Sequence, residues 1–347
     1  MAKKKVSRYS GIGGQAVLEG IMMKNKERYA IAVRKPNGEI EVEVEHYRGP
    51  GEDGVWKKIP FVRGVFNFVD SMILGTKALN YSASFYDEEE PEHKESGSKA
   101  KEAGEKLAGV LLTLFSVVLA VGIFVVLPYF LSSLFEKYVR NASLIAIIEG
   151  CIRIVIFLLY AWGISAMKDI RRLYCYHGAE HKCINCIEKG HPLTVRNVMK
   201  SSRLHRRCGT SFIFFVLIVS IILFFFIRVD NVAQRVALRI LLMPVVAGIS
   251  YELIRLAGRH DNVFVKILSA PGMLIQRMTT KEPDRGMAEV AIAAVEAVFD
   301  WRAYLEENFG YSEEDWEEDI RAEERADAED MRTEEPDDMR ADAAEEP

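Results

Sequence analysis

The sequence is short of several residue types, and each shortage excludes something. It has five cysteines in 347 residues. An odd, small number fits poorly with a disulfide framework, so reduced thiols on the cytoplasmic side of a membrane are expected. The start, Met1-Ala-Lys-Lys-Lys-Val, is basic, but polar and glycine-rich sequence follows it where a secretory signal would have an apolar core. No basic, aromatic-rich stripe of the kind that tracks a nucleic-acid strand is present, so nucleic acid is not an expected partner. Seven histidines also fall short of the roughly eight that would fill the two irons of a membrane hydroxylase or desaturase, which the H-x3-H spacing described below would otherwise suggest.

Charge is unevenly spread. Residues 306–347 hold 20 Asp/Glu against 4 Arg, and the whole chain carries −5, which leaves +11 on residues 1–305. A basic body suits contact with anionic lipid headgroups. The acidic tail, 306–347, is expected to be disordered.

Long apolar runs are what the sequence has in quantity. Four segments approach the roughly 20 helical residues that cross a bilayer: 107–135, 144–167, 211–227 and 236–257. The second carries Glu149 and Arg153, and the fourth Arg239, Glu252 and Arg255. Buried charges in lipid are usually paired, so an ion-paired cluster of Glu149, Arg153 and Arg239 is expected, with a transport path as the sharper reading. The connection 168–210 holds ten Lys/Arg and the two other connections hold two each. That bias places both termini and 168–210 in the cytoplasm. The fold class is therefore predominantly α: a polytopic membrane bundle of about four transmembrane helices, with a small cytoplasmic α+β amino-terminal region.

The domain organisation follows. Residues 1–81 form the α+β region, with a β-hairpin centred on Asn37-Gly38 and an apolar-faced, interfacial helix over 61–81. Residues 82–106 are a charged linker, and 107–257 the bundle. Residues 258–305 hold a loop broken by Pro271-Gly272 and then one amphipathic helix beginning at Met287. The glycines of "GIGGQAVLEGIMMK", 11–24, lack the context of a dinucleotide or phosphate loop and more simply let backbone approach something closely, with Gln15 and Glu19 facing a site or the core.

Chemistry concentrates in "YHGAEHKCINC". On a helix continuing from the second span, His177, Glu180 and His181 share about 100° of arc. H-x-x-E-H is the inverted zinc-hydrolase pattern: two imidazoles share a metal and the carboxylate takes a proton from water. "HRRCGTSF" adds His205 and Cys208 before the third span, and Glu252 approaches the same membrane face on the fourth. The expected metal ligands are His177, His181 and one of His205, Cys208 or Glu252, with Glu180 as the base and zinc as the favoured divalent metal. Cys183-x-x-Cys186 with His205-x-x-Cys208 spells a competing structural framework, but both sets cannot share one metal unless the helix ends near Lys182.

"GGQAVLEGIMM", "PFVRGV", "YHGAEHKCINCIE", "HRRCGTSF" and "APGMLIQRMTTKEP" together resemble the DUF1385, or YqhQ-like, family of bacterial membrane proteins, from about Gly11 to Val298 and in the same order. The resemblance implies a membrane-integral, metal-dependent protein without an established reaction. His177, Glu180, His181, His205 and Cys208 match its pattern position by position. The leading expectation is a membrane hydrolase of a lipid-linked or membrane-protein substrate, with the lipid bilayer itself as partner. A non-catalytic scaffold with a structural metal or hydrogen-bonded His/Cys loop is the alternative, and a transporter the third reading.

Overall fold

The structure is a computed structural model. It describes residues 8–49, 54–86, 111–112, 114–227, 229, 231–259 and 262–312, with isolated positions up to 325. Most of the predicted linker and of the acidic tail lie outside the described residues. The chain is mostly helical with one antiparallel sheet, and it divides into two compact units. One gathers 1–47, 175–203 and 282–347; the other gathers 48–174 and 204–281.

The first unit is built on a four-stranded meander: β1 (Gly13–Val17), β2 (Gly20–Asn25), β3 (Arg28–Arg34) and β4 (Ile40–His46). The β3–β4 hairpin closes where the sequence predicts. Arg34 pairs with Ile40, Gly38 takes φ +90°, and the Asn37 side chain accepts from the Glu39 amide at 3.0 Å. The β1–β2 hairpin is a correction, because glycine-rich 11–24 carries no alternating apolar pattern that would announce strands. Ile21 and Met23 of β2 and Ala30 and Ala32 of β3 are buried under apolar side chains of three later segments. These are the 175–188 part of α4 (Lys168–Glu188), α10 (Arg285–Val298) and α11 (Trp301–Phe309). The single amphipathic helix expected from Met287 is thus two. The first ends at Val298 with Phe299 as its C-cap, and Asp300 caps the second, its carboxylate accepting from the Ala303 amide at 3.0 Å.

The second unit holds α1 (Val62–Ala83), α2 (Leu114–Ser133), α3 (Ala142–Ser165), α6 (Gly209–Phe226), α7 (Val232–Leu241), α8 (Met243–Arg259) and α9 (Val263–Thr279). The short α5 (Val195–Lys200) belongs to the first unit. Among the described residues three stretches are long and apolar enough to cross a membrane: Leu114–Ser133, Ser143–Ser165 and Gly209–Phe226. The fourth predicted span is not one helix. It divides at Leu242, and Pro244 explains the break, since it has no amide hydrogen and its ring crowds the carbonyl four residues back. The loop predicted around Pro271-Gly272 is helix instead. There Gly272 allows the closest approach to α6, a Cβ at that position lying 2.9 Å from Ser211 Oγ.

Candidate metal site and its surroundings

The six candidate residues fall three and three between the units. His177, Glu180 and His181 lie on α4 in the sheet unit; His205, Cys208 and Glu252 belong to the helical unit.

The helix α4 does not end near Lys182 but runs to Glu188, where Gly190 stops it with φ +74°. The Gly190 amide bonds to Ile187 O at 2.9 Å and that of His191 to Cys186 O at 3.0 Å, a Schellman closure. This continuity settles where the cysteines point. Cys183 and Cys186 are fully buried in the apolar core with Ile184 and Ile187, and Cys186 Sγ donates to Pro192 O at 3.3 Å. Burial pushes the Cys183 thiol well above its ordinary pKa, with Cys186 and Glu180 adding to the effect. The pair serves as small apolar packing, not as part of a framework shared with His177.

The opposite outcome holds for the histidines. One turn apart, the rings of His177 and His181 have centroids 4.4 Å from each other. His181 Nδ1 lies 2.7 Å from the carbonyl oxygen of Arg203. A carbonyl only accepts, so Nδ1 carries a proton, and in the neutral ring the lone pair a metal needs is on Nε2.

That carbonyl sits on a strap, residues 199–203, held down by three neighbouring side chains of α4. Besides His181, Lys182 Nζ donates to Met199 O at 2.7 Å and to Ser201 O at 2.9 Å, and Asn185 Nδ2 donates to Ser202 O at 2.6 Å. Glu282 closes the arrangement from the carboxy-terminal segment, 2.9 Å from Lys182 Nζ and 3.0 Å from Arg203 Nε. Reading the sequence for ligands missed Lys182, Asn185 and Glu282. Only the strap gives them a role, and nothing local in the sequence announces it.

Glu180 is buried and lies against β1. A Cβ built on Gly14 would come within 3.3 Å of the Glu180 carboxyl carbon, and 2.5 Å from both Met22 O and Met23 Sδ. The close approach expected of the amino-terminal glycines is therefore made, and one neighbour is the motif's own glutamate. Glu19 in the β1–β2 turn accepts from Tyr176 OH at 3.1 Å, which ties the turn to α4. Gln15 is exposed.

In the helical unit, Cys208 is the N-cap of α6, its sulfur accepting from the Thr210 amide at 3.4 Å. His205 is buried and its backbone is clamped by Gln276 of α9, which accepts from the His205 amide at 2.9 Å and donates to its carbonyl at 2.6 Å. Glu252 is taken up elsewhere. It forms a two-pronged pair with Arg63 of α1, 2.7 Å to Nε and 2.5 Å to Nη2, and accepts from the Phe61 amide at 3.3 Å. It braces α1 against α8.

Compared with known proteins, the family described as "Protein of unknown function (DUF1385)" matches residues 59–301. A Bacillus subtilis (strain 168) relative, described as "Uncharacterized protein YqhQ", is 38% identical over 317 residues, which cover 89% of this chain and 98% of the relative. No solved structure matches. The chain belongs to the DUF1385 family.

Proposed function

We propose that this DUF1385 protein is an integral membrane metalloenzyme of hydrolytic type, with its metal on α4. His177 and His181 are the first two ligands, and Cys208 or His205 completes the set. Zinc is the divalent ion that best suits imidazole with thiolate or a further imidazole. When bound, the ion supplies Lewis-acid activation of water. Glu180, buried against β1, accepts the proton released.

The observation that carries the reading is the 2.7 Å contact between His181 Nδ1 and the Arg203 carbonyl. Fixing one ring nitrogen on a backbone carbonyl sets tautomer and orientation together, as ligating histidines require. The Lys/Arg bias supports an inner-membrane protein with both termini and 168–210 in the cytoplasm, so the substrate is a lipid-linked group or a membrane protein presented at that face. Glu252 drops out of this site because Arg63 engages its carboxylate.

A second reading, a non-catalytic scaffold, draws on the strap itself, since three side chains of α4 bind backbone of 199–203 and so organise a surface. Glu180→Gln separates the two. An enzyme keeps its metal and loses the ability to complement a deletion strain. If the variant complements fully while holding the metal, the hydrolase reading is wrong and the scaffold stands.

A further inference from the structure

The helical unit contains a second candidate site, independent of the metal reading. Its helices line a half-open cavity of about 630 Å³, within the range of small-molecule sites. The lining is apolar, with Phe68, Phe124, Phe212 and Met243 among it, except for three residues: Arg153, Ser220 and Arg239.

The two arginines belong to one buried cluster. Arg153 Nη2 donates to Glu149 Oε1 at 2.8 Å and its Nη1 to Ser220 Oγ at 3.1 Å. Arg239 Nη2 donates to Glu149 Oε2 at 2.8 Å, and its Nη1 is 2.6 Å from Glu149 Oε1. Both guanidiniums lie over the Phe224 ring, 5.6 and 5.2 Å from its centroid. The pairing expected from the sequence is thus made, but it does not balance: two cations share one carboxylate. Arg153 and Arg239 are 6% and 7% exposed, and Arg153 Nε is buried without a hydrogen-bond partner among the described residues. Glu149 is absent from the lining, so the cavity presents the cations and keeps the anion behind them. A net positive charge buried beside an apolar cavity is costly unless an anion completes it.

The surrounding helices depart from regular geometry at this cavity. Phe124 and Val125 lie in a π-helical stretch, Gly122–Val126, and Met243 and Pro244 sit where α7 gives way to α8. Such departures are tolerated at membrane depth where backbone lines a cavity.

We propose that this cavity binds one single-chain anionic amphiphile: an acyl chain along the aromatic and aliphatic walls, and a carboxylate or phosphate head on Arg153 and Arg239. The head supplies the missing negative charge and gives Arg153 Nε an acceptor. A neutral lipid fills the walls and leaves the charge uncompensated.

The test uses the full chain in phosphatidylcholine nanodiscs and a long-chain fatty acid bearing a photoactivatable diazirine, with labelled peptides mapped by mass spectrometry. Labels are expected in the 212–224 and 243–247 segments. They should be competed by unlabelled fatty acid or by lysophosphatidylglycerol, and the stronger competitor identifies carboxylate or phosphate as the preferred head. A fatty alcohol of equal length should not compete. Arg153→Gln leaves Glu149 paired with Arg239 and should lower labelling roughly tenfold, the loss of one charge-assisted contact. Ala247→Trp, which fills the cavity with the charges intact, should abolish labelling. Equal competition by the alcohol, unchanged labelling in folded Arg153→Gln, or labels that Ala247→Trp does not remove would each overturn the proposal.

Discussion

Lys182→Met offers the sharpest perturbation of the strap that orients His181. Its side chain is 5% exposed, and the ammonium makes two bonds to carbonyls of 199–203 plus a pair with Glu282, which is 64% exposed. Exposure discounts the ion pair to about 0–1 kcal/mol. A charged donor to a carbonyl contributes about 1.5–3 kcal/mol net. Methionine fills a similar volume, so packing loss is small, and carbonyls that lift into water recover part of the cost. About 3 kcal/mol is then withdrawn from the closed strap. Its local opening should rise by roughly two orders of magnitude, at about 1.4 kcal/mol per tenfold. Hydrogen exchange read by mass spectrometry on the full chain would show this at the Ser201 amide, which donates to Val198 O at 2.9 Å in the closed strap. Metal affinity should fall about 10–100-fold in the same variant, because the Arg203 carbonyl moves with the strap. Unchanged protection of Ser201 in a folded Lys182→Met protein would show that Lys182 does not hold the strap, and the orientation argument for His181 would lose its support.

Two further outcomes follow from the sheet unit. Gly14→Ala puts a methyl group 2.5 Å from a backbone carbonyl that cannot swing aside, so thermal unfolding should show a loss of roughly 1–3 kcal/mol; a neutral substitution would mean that β2 does not approach Gly14 this closely. A membrane-permeant maleimide at neutral pH should label half-buried Cys175 and spare Cys183 and Cys186. Because burial raises the Cys183 pKa, the folded state favours the thiol. Stability should therefore fall only as pH climbs past the ordinary thiol value, and labelling of Cys183 in folded protein near neutrality would contradict its place in the core.

The sequence was most legible where one short segment determines the outcome. Asn37-Gly38 needs only its own backbone preferences to make a hairpin, and the i, i+3, i+4 spacing of His177, Glu180 and His181 needs only helical geometry. It was least legible where distant segments decide. The strands at 13–25 are strands because α4 and α10 cover them, and their glycines are chosen for close approach over strand propensity. Pro271 sits within α9, where propensity alone predicts a break, because Gly272 packs on Ser211. The sheet unit assembles from the amino terminus, the 175–203 segment and the region after 281, a grouping without a local signature. The strap residues Lys182, Asn185 and Glu282 come together only through that grouping.

Elemental analysis of the purified full chain, beside His177→Ala, His181→Ala, His205→Ala, Cys208→Ala and Cys186→Ser variants, tests the central claim most directly. The account predicts close to one divalent ion per chain in the parent and in Cys186→Ser. It predicts near-complete loss in either α4 histidine variant, and a marked loss in one of His205→Ala or Cys208→Ala. A ratio well below one in the parent even after reloading, or full metal in the His177 and His181 variants, would contradict it.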